Sequence, residues 1–157
     1  MDAEESMTNV TEINHSPFGH LRYGKEYGVE YWRGSITLSC FEQPFALIVR
    51  AGRGGPSQQQ AAALTAVVKS ASMIQQQATT PMVKAHREAG ISFETRNTGN
   101  GDVWSILQPE EIEVSDESYY RDGRIFVALI FGSTQEPSFA PAIETADGIF
   151  VRVLSGT

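Results

Sequence analysis

The sequence predicts an α+β domain: an antiparallel sheet built from hairpins, with one long, kinked helix packed on one face. Three observations predict it. Apolar and polar residues alternate with period 2 in the first fifty residues, helical spacing follows over 58–78, and short strand patterns return after residue 102. Strands grouped on both sides of one helical segment favour helices packed on one face of an antiparallel sheet. Nothing alternates strand and helix in the manner of a parallel sheet.

Each element has its own local reason. Residues 1–16 are acidic and poor in apolar side chains, so they read as a flexible segment ahead of a single domain at 17–157. Phe18–Tyr23 is a candidate first strand. Val29–Phe41 alternates with Trp32, Ile36, Leu38 and Cys40 in phase, and the chain turns at Glu42-Gln43-Pro44 into a return strand from Phe45. Leu64, Val67, Val68, Ala71 and Ile74 then recur at helical spacing, behind a Ser57/Gln60 capping-box pattern. Thr80 and Pro81 mark the start of a shorter helix with Met82, Ala85, His86 and Ala89 on its apolar side and Gly90 at its end. The two pieces together fit one long helix kinked at Pro81. Residues 94–102 form a polar loop, and 103–108 and 111–115 read as short strands. Residues 124–131 are almost wholly apolar, as in a strand buried on both faces. The segment 142–154 is a hairpin about Asp147-Gly148, a pair suited to a primed turn. The expected core sets Leu64, Val67 and Val68 against Ile36, Leu38, Val127 and Leu129.

Composition narrows the function classes. The 157-residue chain carries a formal net charge of −7, which repels nucleic acid and anionic membranes and attracts basic partners. Cys40 is the only cysteine, so no internal disulfide forms and a reducing compartment is favoured. The acidic N-terminus has no signal-peptide pattern, and no apolar run is long enough to span a membrane, so the expected location is cytoplasmic.

The stretch Ala51–Ser57 has the glycines of a phosphate loop but not its chemistry. A Walker loop needs a lysine beside its last glycine, and the next lysine here is Lys69. Ser57 stands where a dinucleotide loop would have its third glycine, and Pro56 removes an amide donor. The loop therefore reads as a corner leading into a capped helix. His15, His20 and His86 are too scattered for a zinc motif, and Cys40 falls in phase with core residues. No serine-nucleophile motif is present. No catalytic residue, cofactor or metal is assigned, and the chain is expected not to be an enzyme.

The candidate binding residues are Asp102, Glu110, Glu111, Glu113, Asp116 and Glu117, six carboxylates uninterrupted by Lys or Arg, followed by Tyr119 and Tyr120. Acids steer a basic partner into place, and tyrosines anchor it. Glu111 and Glu113 share one side of their strand, with Ile112 and Val114 on the other. The helix over 58–78 has Lys69 as its only charge, a neutral surface that suits contact with a partner or a second copy of the chain.

The succession of "FGHLRY", "YWRGSITLSCF" with its W-x-G at Trp32–Gly34, "FALIVRA", a Gln-rich helix and a closing "ADGIFVRV" resembles a broad group of small bacterial α+β domains. Some of these look like immunity proteins encoded beside polymorphic toxins. The resemblance covers residues 18–154 and implies a cytoplasmic protein that binds a toxin domain and blocks it. It carries over no catalytic residue. The leading reading is thus a non-enzymatic immunity or inhibitor protein with a basic toxin domain as partner. A small hydrolase or ligand-binding enzyme, with a site assembled from scattered polar residues, and a structural subunit of a bacterial or phage assembly are the alternatives.

Overall fold

The computed structural model describes residues 11–92 and 101–155, apart from the side chain of Asp102. Eight strands form one sheet in sequence order: β1 (Glu12–His15), β2 (Gly19–Glu26), β3 (Val29–Ile36), β4 (Phe45–Val49), β5 (Leu107–Val114), β6 (Phe126–Ser133), β7 (Ala142–Ala146) and β8 (Ile149–Leu154). Two helices, α1 (Gln58–Lys69) and α2 (Ala71–Glu88), and a 3-10 helix (Gly101–Ile106) lie between β4 and β5. The α+β class and the hairpins β3–β4 and β7–β8 agree with the sequence reading.

Every strand pair is antiparallel except β4–β5, which is parallel. Parallel neighbours need a long crossover, and both helices serve as that crossover. The sequence shows no repeated β–α alternation, so this single parallel junction was not anticipated.

The helical segment also departs from expectation. It breaks at Ser70, whose ψ is 13°, while Pro81 lies inside α2. Proline costs a helix one amide donor. Here Met82, Val83 and His86 beyond it share a buried side with Ile74 and Ala78 before it, which holds both halves to the sheet. The result is two helices: α1 meets β6, and α2 runs along β8. Val68 projects outward at 39% exposure rather than into the core.

Two further segments differ. Residues 12–15, expected to be flexible, form an edge strand because Ile13 packs on the core and Glu12 meets Arg22 at 3.2 Å. Residues 103–106, read as a strand, are 3-10 helix, and the indole N–H of Trp104 donates to Thr79 Oγ1 at 3.0 Å.

The core lies between the helices and one sheet face. Leu21, Trp32, Leu47, Val49, Ile112, Val114, Val127, Leu129 and Ile143 meet Leu64, Val67, Ile74 and Met82 there. The W-x-G residues are structural. The Trp32 indole donates to the Gly52 carbonyl at 2.7 Å, and a Cβ on Gly34 would stand 2.7 Å from the backbone oxygen of His20.

The glycine loop is a corner, closed by Gly55 N–H donating to Gly52 O at 3.0 Å. It delivers the chain into a complete capping box: Gln60 N–H donates to Ser57 Oγ, and Ser57 N–H donates to Gln60 Oε1. The Gln60 amide nitrogen, buried, donates to Arg50 O at 2.8 Å and Ser115 O at 2.7 Å. It therefore ties the N-terminus of α1 to the ends of both parallel strands. Gln60→Leu leaves those two carbonyls without their donor, and the expected loss is about 2–4 kcal/mol, read by chemical denaturation. A loss within 0.5 kcal/mol, roughly that of a neutral surface change, would contradict this.

Candidate protein-docking surface

The helices cover one sheet face, and the other carries the charged side chains. One row of paired residues crosses all eight strands on that open face: Glu12, Arg22, Arg33, Ile48, Glu113, Ala128, Glu144 and Arg152. Strict period-2 alternation puts them there. Charges on neighbouring strands then meet as cross-strand pairs. Glu12 takes Arg22, Arg50 takes Glu113 at 3.3 Å, and Glu144 takes Arg152 at 2.8 Å. The Arg33 guanidinium lies 5.5 Å from the centre of the Tyr31 ring.

The acidic stretch runs along the middle of this face. Glu111 and Glu113 point to it, while Ile112 and Val114 are in the core, as the alternation implies. Glu110 is the extra residue at an irregularity in β5, exposed beside Gly132. Asp116 and Glu117 are exposed in the loop that follows. Asp102 falls in the 3-10 helix, and its side chain lies outside the described residues. The six acids therefore do not gather at one point.

Their charge is also balanced by residues distant in sequence. Burial raises the carboxyl pKa of Glu111, and the neighbouring Glu113 raises it further, while Arg50 and Arg33 act in the opposite direction. The guanidinium groups come from β3 and the end of β4, so the sequence run alone gave no sign of them.

Residues 116–125 fold back over the open face. The Asp116 carboxylate accepts the Ser118 hydroxyl and its N–H, which holds its pKa below the ordinary aspartate value. Asp122 accepts the N–H and Nε of Arg124, and Gly123 takes a φ of 82°. These local bonds make the loop self-supporting. Its two tyrosines have different tasks. Tyr120 donates its hydroxyl to the buried Glu144, and burial, then this bond, raises the phenol pKa strongly. Arg124 caps its ring at 4.8 Å. Tyr120 is thus an anchor of the loop to the sheet. Tyr119 stacks on Phe126 with centroids 4.0 Å apart and remains 52% exposed. Sequence reasoning treated the two alike, and only Tyr119 is presented to solvent in this way.

Other candidates resolve as parts of the fold. Cys40 packs beside the core, and burial raises its thiol pKa. The His86 ring is buried against Phe139, its Nδ1 is 2.7 Å from Met82 O, and burial lowers its pKa. Among the described residues no three His, Cys, Asp or Glu side chains are grouped to hold a metal ion, and no helix is long and apolar enough to cross a membrane.

Comparison with family models, curated proteins and solved structures finds no match to this chain.

The raised Glu111 pKa has a consequence for stability. A carboxyl that holds its proton more tightly when folded favours the folded state below its unfolded pKa, and that contribution is lost as pH rises through the folded value. Glu111→Gln is therefore expected to raise the denaturation midpoint slightly at pH 7, with the gain disappearing below the ordinary glutamate pKa of about 4.3. Urea midpoints at both pH values check it, and an equal gain at both would contradict the assignment.

Proposed function

We propose that the protein is a non-enzymatic binding domain of the immunity or inhibitor kind, acting in the cytoplasm to block a basic toxin domain. The observation that carries the reading is the open sheet face, where the exposed Tyr119 stands beside Glu113 and Asp116. Protein interfaces combine an aromatic anchor with a charged rim that steers the encounter. The resemblance of residues 18–154 to small bacterial immunity domains supplies the class of partner.

The paired carboxylates have their charge answered within the fold. Steering therefore falls to exposed acids without a cation partner among the described residues, such as Glu110 and Glu117. Reversing both to Lys is expected to slow association about ten-fold at low salt, with the difference shrinking as ionic strength rises. Tyr119→Ala is expected to hasten dissociation instead.

The first experiment expresses the C-terminal domain of the secreted protein encoded nearest to this gene, with and without this chain. Survival only in its presence, followed by stopped-flow rates for the two variants, supports the proposal. Rates identical to the parent in both variants, or turnover of a small molecule by the purified chain, would replace it.

A further inference from the structure

The turn between β2 and β3 has an unusual residue at its tip. Tyr27 and Gly28 take φ values of 51° and 79°, the primed turn that matches the twist of a two-strand hairpin. Glycine is at ease there. Tyrosine is not, because the left-handed region crowds its Cβ against the backbone. The chain contains its own control in the β7–β8 turn, where Asp147 and Gly148 take 50° and 82°. Asp147 is an ordinary residue for that conformation, and its carboxylate accepts the Ile125 N–H at 2.9 Å. The Tyr27 ring serves no such purpose, being 97% exposed. A strained residue whose side chain supports nothing in the fold points to a role outside it.

Tyr27 stands over the open face. Two adjoining grooves, of about 410 and 440 Å³, share Val29 and Arg50. Tyr27 and Tyr31 line one, and Tyr119 lines the other. Tyr27, Val29 and Tyr119, three of the exposed large side chains of the described residues, thus border two grooves that share Arg50. Tyrosine is among the side chains that dominate interface energetics.

Charge selects the occupant. Glu26 and Asp116 line the grooves with no cation of their own among the described residues, whereas Glu113 is held by Arg50 Nε at 3.3 Å, Glu30 accepts the Tyr23 hydroxyl at 2.5 Å, and Arg33 stands 5.5 Å from the Tyr31 ring. Two carboxylates without a cation partner, beside the electron-rich faces of tyrosine rings, attract a cation.

We propose that Tyr27, Val29 and Tyr119 form a receptor around Arg50 for a lysine or arginine side chain projecting from a protein partner. The rings take the flat sides of that chain, and Glu26 and Asp116 take its charge. The inference rests on the docking reading above and deepens it. It names the side chain recognised and places the anchor at the β2–β3 tip, outside the acidic stretch.

The test titrates the whole 15N-labelled protein with the blocked peptides Gly-Ser-Arg-Ser-Gly and Gly-Ser-Glu-Ser-Gly at low ionic strength. The arginine peptide is expected to shift the amides of Tyr27, Val29, Arg50 and Tyr119, and the glutamate peptide is expected to leave them in place. Tyr27→Asn suits the left-handed backbone, so its melting temperature should equal or exceed the parent's while peptide affinity falls about two- to five-fold. Arg50→Gln removes the competing cation and should tighten the arginine peptide. Shifts confined to another surface, equal shifts with both peptides, or parental affinity in Tyr27→Asn would overturn the receptor. A toxin domain still bound by Tyr27→Asn, with its rates changed by Tyr119→Ala, would overturn the receptor and leave the docking reading standing.

Discussion

The structure turns on the four hydrogen bonds made by Gln60. Its backbone N–H and side-chain oxygen complete the capping box with Ser57, and its amide nitrogen binds the carbonyls of Arg50 and Ser115. Those carbonyls stand just beyond the ends of β4 and β5, the one parallel pair in the sheet. A sheet of hairpins sets its own register through short turns. Two strands joined by a long crossover have no such turn, and the buried amide takes its place. Everything after β4 depends on this junction, because β6, β7 and β8 are added in order from β5.

The same junction builds the candidate surface. Holding β4 beside β5 brings Arg50 to Glu113 and sets Arg33 in the same row. The open face is consequently a field of paired charges rather than an acidic strip. Such pairs contribute little to stability when exposed. Their larger effect is to leave the unpaired groups at the rim to set the long-range field, beside exposed apolar side chains such as Tyr119, Val29 and Ile149.

Stability and display are divided between equivalent positions. Tyr120 and Tyr119 are adjacent, yet one is bound to the buried Glu144 and the other faces solvent over Phe126. Asp147 and Tyr27 occupy equivalent places in two primed turns, yet one supports the fold and the other is exposed. Gly148 also has a packing role, since a Cβ there would collide with Ala66 of α1.

Local pattern was enough to read most of the elements. The alternation of Glu111, Ile112, Glu113 and Val114 fixed which side chains face the core, and Ser57 with Gln60 announced the start of α1. Asp147-Gly148 announced its hairpin. Each of these depends on residues a few positions apart, where backbone geometry alone sets the outcome. The break at Ser70 and the passage of α2 through Pro81 depend instead on which helix faces find partners on the sheet. The parallel pairing of β4 with β5 depends on the second and third partners of Gln60, ten and fifty-five residues away. The arginines beside the acidic run, and the placing of Tyr27 and Tyr119 at adjoining grooves, likewise arise between segments far apart in the chain. Periodicity specifies the face on which a side chain lies, whereas its neighbours on that face are decided by strand order and register, which only the assembled sheet supplies.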